Sequence, residues 1–325
     1  MKYRVRAIPA AAVVVAMALL SGGCSTASGS ASAPPVEKHN VIVGAVPVAD
    51  SAALYIAQQR GLFKAAGLNV KIETVVSGAT AIKGQLAGQY DVVLGNYVSY
   101  ILADAQQGDK FRVLAPGAAD TAEYSAIMVP PNSPIQSVSQ LKGRTIGVNA
   151  LGNIATLFIA SMLAEYNLGM QADHIHLKAI PFPLMTHALL THQIDAAWMV
   201  EPFVTTAAMA GATPLADTNQ GATENFPLGG YMATQAWEQK YPGTAAAFRH
   251  ALLQGQEIAS RSQPAVWAGL EKFPKIPASV AVLIQLPSYP LVMLQSELQR
   301  VANLMLQYNM LDSNFDVSRM LHWSG

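Results

Sequence analysis

The side chains able to do chemistry sit in short segments where an apolar, β-branched run gives way to a helical pattern. They are Asp50, Ser51, Asn96, Tyr97, Asp120, Tyr124, Asn153, Thr156, Trp198, Glu201 and Phe226. Carboxylates, amides, hydroxyls and flat rings of this kind hold a small molecule inside a mostly apolar enclosure. Equipment for breaking bonds is missing from the sequence. There is no Gly-x-Ser-x-Gly elbow, no phosphate-binding P-loop and no dinucleotide glycine fingerprint. No Cys follows Cys24, so no thiol nucleophile is available to the body of the chain. His174 and His176 share one predicted strand but have no carboxylate-rich partner, so neither a metal nor a cofactor is expected. The inventory predicts a binding protein, not an enzyme. Several of these residues also have a scaffold role open to them. Ser51 and Asn153 are good helix N-caps. Glu201-Pro202 suits a helix start, with a carboxylate near the positive end of the dipole. Trp198 at a strand end could be core.

Placing these residues together requires a particular set of elements, and the sequence carries that set twice. Residues 42–103 and 146–207 align at a constant offset of 104. The anchors IVGA (42–45), NVKIETV (69–75) and LAGQYDVVLGNY (86–97) return as IGVN (146–149), DHIHLKA (173–179) and LTHQIDAAWMVE (190–201). Each copy reads as strand, helix, strand, helix, strand, helix. Because a helix follows each strand, parallel βαβ units with right-handed crossovers are expected. Ligands then bind beyond the carboxyl ends of the strands, where helix N-termini offer unpaired N–H groups. All the candidates above lie in such turns or at their edges. Asp91 and Asp195 recur at the starts of strands, the far end, and are expected to be structural.

The stretch PPNSP at 130–134 is too rigid for ordinary helix or strand and marks a junction near 125. A returning strand is predicted at 229–234, followed by helices near 243–261, 264–271, 278–285 and 292–309. The expected architecture is α/β and two-lobed. Residues 40–125 plus 229–325 form the first lobe and 126–228 the second, joined by two hinge strands, with the C-terminal helices packed on the first lobe.

The N-terminus reads as a processing segment. Lys2, Arg4 and Arg6 precede an apolar run from Ala10 to Leu20, too short to span a bilayer, which takes roughly 20 residues. The sequence LSGGC that ends it resembles a bacterial lipoprotein signal, which predicts a signal peptide at 1–23 and a lipid-modified Cys24. Cys24 is the single Cys of the chain, so no internal disulfide forms and lipidation gives the thiol a use. Several acyl chains at one residue anchor stably. Residues 24–39 are small, polar and proline-containing, and read as a flexible tether. The remainder has ample apolar material: 51% of the 325 residues are hydrophobic and 12% charged. Lys plus Arg equals Asp plus Glu at 20 each, so no electrostatic footprint for nucleic acid exists.

The motifs AALYIAQQRGLFKAAGLNVKI (52–72), QLAGQYDVVLGN (85–96), LKGRTIGV (141–148) and ALLTHQIDAAWMVEPF (188–203) carry a family resemblance. The chain resembles solute-binding proteins of ABC importers, in the group that binds aliphatic sulfonates, taurine, nitrate and thiamine-pyrimidine precursors. That resemblance implies the type II periplasmic-binding fold and a monomer that closes on a small-molecule ligand. It also implies delivery to a membrane permease driven by a cytoplasmic ATPase, from a lipid-anchored position outside the cell membrane. Two other roles accompany it: a ligand-sensing or partner-binding surface lipoprotein, and a thiamine-pyrimidine enzyme, which is disfavoured because the Cys-rich motif of such enzymes is missing. Where the family often has Gly-Ser-Thr, this chain has LGNIAT (151–156), with fewer hydroxyls to hold an oxyanion. None of its Arg residues beyond the leader falls in a predicted cleft turn; Lys83 and Lys178 are the nearest basic groups. A neutral or amine-bearing planar ligand, pyrimidine-like, is expected ahead of a sulfonate, taurine or nitrate.

Overall fold

The computed structural model describes residues 35–108, 110–271 and 278–321. The predicted leader, Cys24 and the tether up to residue 34 lie outside them. The remainder of that tether is not free. Glu37 accepts hydrogen bonds from the backbone N–H groups of Gly243 (3.0 Å) and Thr244 (2.8 Å), and Val36 packs on the core.

Ten strands build two five-stranded sheets. The strands are β1 (Asn40–Ala45), β2 (Asn69–Thr74), β3 (Val92–Asn96), β4 (Phe111–Ala119), β5 (Ser125–Val129), β6 (Thr145–Val148), β7 (His176–Ala179), β8 (Ala196–Val200), β9 (Thr213–Asp217) and β10 (Pro227–Thr234). The first sheet runs β2-β1-β3-β10-β4 and the second β7-β6-β8-β5-β9. Within each, the three strands of the sequence repeat are parallel, as the helix after each strand predicts. Beyond them the pairing is antiparallel. β10 is antiparallel to β3 and β4, and β5 is antiparallel to β8 and β9. The reason is that β4 and β9 lead into crossings made of turns, the second with a single 3-10 turn at Gly221–Thr223, instead of α-helices. Each crossing delivers its next strand to the other sheet, into the same fourth position. The sheets therefore exchange strands reciprocally, and the internal symmetry extends over all ten.

Helices follow the predicted strands: α1 (Ala52–Gln59), α2 (Leu62–Ala65), α3 (Gly78–Leu86), α4 (Tyr97–Gln107), α5 (Ile154–Glu165), α6 (Phe182–Leu190) and α7 (Phe203–Met209). Behind them come α8 (Gln235–Lys240), α9 (Pro242–Arg261), α10 (Gln263–Leu270), α11 (Ala278–Ala281), α12 (Gln295–Gln307) and α13 (Ser318–Leu321). The helix expected over 278–285 ends at Ala281, and Pro287 and Pro290 keep the chain beyond it extended. α9 packs along α1 and α2, and α12 along α4, so the C-terminal helices cover the first sheet. Gly255 on α9 makes the first contact possible. A Cβ there would approach the Ala53 carbonyl to 2.5 Å.

Strand pairing refines the repeat. Val43 pairs with Val92, whereas Ile146 pairs with Ala196. With Val92 and Ala196 equivalent at 104, the first strands correspond at 103. Ile72 opposite Val43 and Leu177 opposite Ile146 set the second strands at 105. The ungapped alignment thus conceals unequal connections: the second copy has two more residues between its first and second strands and one fewer between its second and third. The corrected register pairs Gly44 with Gly147. His174 also leaves the predicted strand, with a positive φ of 53° in the turn before β7.

Asp91 and Asp195 hold equivalent scaffold posts. Asp91 accepts from the Ile42 N–H (2.9 Å), the Trp237 indole (2.7 Å) and the Lys38 ammonium (2.5 Å). Asp195 accepts from the Thr145 N–H (2.8 Å), with the Arg144 guanidinium at 3.5 Å. The Asp91 side chain is 8% exposed and that of Asp195 37%. Asp91→Ala therefore removes the buried acceptor of a half-buried indole, a half-buried ammonium and the Ile42 N–H, and should cost about 1–3 kcal/mol in urea unfolding. Asp195→Ala should cost about 1 kcal/mol or less.

Candidate functional site

A cavity of about 60 Å³ opens where the carboxyl ends of both sets of parallel strands meet. The first sheet contributes Val46, Val48, Asp50, Gly78, Leu94, Gly95, Asn96 and Leu228; the second contributes Asn149, Ile154, Phe182, Trp198 and Val200. At ~10–15 Å³ of such space per water, this is room for a compact solute. The walls are mainly aliphatic and aromatic. Phe182 and Trp198 lie 6.2 Å apart at 35°, and Phe203 stacks behind Phe182 at 5.0 Å. Asp50, Asn96 and Asn149 are the polar lining side chains, and no Lys, Arg or His is among them.

Of the sequence candidates, Asp50, Asn96 and Trp198 line this cavity. Two more hold its lining. Tyr124 donates its hydroxyl to the Asp50 carboxylate. Asn153 donates to the Asn149 side chain (2.9 Å) and accepts from the Ala155 N–H as the cap of α5. The rest are turned elsewhere. Ser51 gives its hydroxyl to the Val48 carbonyl (2.8 Å) and makes no cap bond. Thr156 accepts from the Gly152 N–H (3.0 Å). Tyr97 is fully buried behind the first sheet, where its hydroxyl fills the space a side chain at Gly230 would need. Glu201 turns to α7 and accepts from the Thr205 N–H (3.0 Å) and hydroxyl (2.6 Å), and from the Gln285 N–H (3.3 Å). It takes the helix-start role.

Asp120 and Phe226 belong to the crossings between the sheets, residues 120–124 and 218–226. The Asp120 N–H donates to the Phe226 carbonyl (2.8 Å), which ties the two crossings together. The Ser125 hydroxyl lies 2.7 Å from the Asp120 carboxyl and 2.6 Å from the Thr218 hydroxyl. Thr218 in turn accepts from the Trp198 indole (3.1 Å), so this buried chain of hydrogen bonds reaches the cavity wall. Phe226 packs edge-on to Phe158 and lies under the Arg300 guanidinium at 5.3 Å. Sequence reasoning missed Val46, Phe182, Leu228 and Asn149 as lining. Asn149 and Phe182 fall in strand-to-helix turns, and that position was their signal.

Burial sets the electrostatics. It pushes the Asp120 carboxyl up to about 8, against hydrogen bonds from Ser125 and Thr121, with Asp217 and Asp50 adding to the rise. It pushes Asp50 up to about 6, against the Tyr124 hydrogen bond. The Tyr124 and Tyr289 hydroxyls are raised by burial and then by the Asp50 charge. Glu201 is also raised by burial.

Solved structures share this architecture. The alkanesulfonate-binding protein SsuA of Xanthomonas axonopodis pv. citri, bound to MOPS, superposes with a TM-score of 0.74 at 18% identity, covering 89% of this chain and 100% of that one. The periplasmic nitrate-binding protein NrtA of Synechocystis PCC 6803 gives 0.72 at 14%, covering 87% and 85%. Two mixed sheets with a cavity between their strand ends, on this likeness, define a periplasmic-binding-protein fold. The chain belongs to the NMT1/THI5-like family, whose profile matches residues 48–265, two-thirds of its length. A Bacillus subtilis (strain 168) protein named as a binding protein, YtlA, is 22% identical over 206 residues, 63% of this chain. The match spans 61% of that relative's length.

The native state retains the Asp120 proton up to pH about 8, whereas the unfolded chain releases it near the ordinary 3.8. The native state thus binds more protons across that window, so stability falls as pH rises through it. Asp50 adds a smaller contribution between its ordinary 3.8 and about 6. Urea unfolding from pH 5 to 8 should show the decline, and Asp120→Asn should flatten most of it.

Proposed function

We propose that this chain is the extracytoplasmic solute-binding component of an ABC importer. One observation carries the proposal: the cavity is walled by the strand ends of two sheets that the chain joins, among the described residues, through two short crossings, 120–124 and 218–226. Such a site is complete only when both halves close on it. A solute held by one half gains contacts to the other in the closed state, and the closed population rises by that differential affinity. The lobes are residues 40–125 with 229–325, and 126–228; the crossings are the hinge. A permease then recognises the closed pair, and a cytoplasmic ATPase drives release and uptake.

The family, and the alkanesulfonate- and nitrate-binding proteins of the same fold, support capture without chemistry. The cavity also lacks a nucleophile paired with a base. Its aromatic wall and amide groups favour a small planar, pyrimidine-like solute over a sulfonate, taurine or nitrate. Cys24 carries the lipid that holds a monomeric protein at the outer face of the cell membrane, with the signal peptide ending at residue 23.

Two measurements test the proposal. Small-angle scattering of protein saturated with the solute recovered from the purified chain should give a smaller radius of gyration than stripped protein. Unchanged scattering refutes closure, and recovery of a chemically altered solute favours an enzyme. For the anchor, labelled palmitate should be incorporated by the wild type and lost in Cys24→Ala, which should move to the soluble fraction. Label retained by that variant refutes attachment at Cys24.

A further inference from the structure

We propose that the cavity selects an organic cation, with Asp50 as its counter-charge and Tyr124 as the residue that positions Asp50. This deepens the solute-binding role above and rests on it. Asp50 lines the cavity and is bonded there through Tyr124 alone among side chains. Among the described residues, no Lys, Arg or His forms an ion pair with it. The two lysines nearest in sequence to the cleft turns are exposed: Lys83 on α3, and Lys178, whose ammonium reaches the Gln193 carbonyl at 3.5 Å. A carboxylate in an apolar enclosure with no cation of its own is stabilised when a solute brings one.

The surroundings oppose an anion in two further ways. The titratable groups whose charges reach Asp50 are Tyr124, Tyr231, Tyr289 and Asp120, and all of them are acids. None offers a positive charge to a sulfonate or nitrate. Three of the helix starts near the cavity have also spent an N–H on a side-chain cap. Ser77 accepts from the Thr80 N–H (3.3 Å), Asn96 from the Ser99 N–H (2.8 Å) and Asn153 from the Ala155 N–H (3.1 Å). An oxyanion cradle needs such N–H groups unspent. The tilted pair of Phe182 and Trp198 meanwhile offers flat π surface, which suits a delocalised cation.

Tyr124 fixes which carboxylate oxygen is left for the solute. It closes the first crossing, and its own carbonyl accepts the Glu201 N–H (3.1 Å), so the phenol is held from the second sheet while its hydroxyl reaches the first. Asp50 must be ionised to bind a cation. With its titration near 6, affinity is full above that pH and falls below it. About one-tenth of the carboxyl is ionised one pH unit below the midpoint, which predicts a roughly ten-fold loss of affinity at pH 5 against pH 7.5.

The test uses the purified chain and three matched sets of compounds at pH 7.5: benzylamine and benzamidine, benzyl alcohol and benzamide, benzoate and benzenesulfonate. Thermal shift followed by calorimetry should find binding confined to the two cations, weakened at least ten-fold by Asp50→Asn. Tyr124→Phe should leave the charge preference but move the midpoint of the affinity–pH profile upward, because the lost hydroxyl favours the carboxylate. Binding of an anion or neutral compound that survives Asp50→Asn overturns the charge assignment and leaves the solute-binding role standing. No binding in any set overturns both. An unmoved midpoint in Tyr124→Phe overturns its positioning role.

Discussion

The Ser125 hydroxyl, wedged between the Asp120 carboxyl and the Thr218 hydroxyl, is the interaction on which the rest of this molecule depends. It sits where the chain leaves one sheet for the other, and its partners come from both crossings. All three groups are buried, so none has water as an alternative partner. The Trp198 indole extends the chain of bonds to the cavity wall, and the Asp120–Phe226 backbone bond seals its other side. Moving one sheet relative to the other pulls on this network directly. A satisfied polar network of this kind specifies one geometry more sharply than apolar contact does. It accounts for how two slender crossings keep two sheets in register around a small cavity.

The reciprocal exchange of β5 and β10 gives that network its place. Because each sheet takes its fourth strand from the far side of a crossing, the two crossings run side by side and can bond to each other. The scaffold posts at Asp91 and Asp195 then stand at the opposite strand ends, where they pin the first and third strands of each half. Scaffold and site are thereby separated along the strand direction. The copies stay alike at the amino ends and diverge at the carboxyl ends. Asn96 corresponds to Val200, and in the corrected register Asp50 corresponds to Asn153.

Much of this was legible in the sequence. Period and punctuation located the parallel strands and the helices that follow them, and the repeat announced two similar halves. Position after a strand puts Asp50, Asn96 and Trp198 at the cavity wall. What was not legible depends on long-range pairing. A strand such as β5 reads the same whether its neighbours run parallel or antiparallel, so the exchange was invisible. The register differences stay hidden because no strand departs from the common offset of 104 by more than one residue. Tyr97 and Glu201 were misplaced toward the cleft for a local reason: a residue at a helix start can point into the cleft, back to its own helix or behind the sheet. The room left by Gly230 and the donors of Thr205 decided these two cases. Val46 and Leu228 carry no polar signal at all, and only the placement of the two sheets makes them wall.

The exchange of strands also has a consequence for the order in which the protein can be assembled. The second sheet is encoded by one continuous stretch, 125–217, but the first is not. A chain emerging N-terminus first can pair β1, β2 and β3, but the open side of β3 waits for residues 227–234, the part of the chain that also brings β4 into the sheet. Until then an apolar strand shows bare N–H and carbonyl groups, a template for pairing with another chain. The first sheet therefore stays vulnerable until nearly three-quarters of the sequence is available, while the second can pair all its strands earlier.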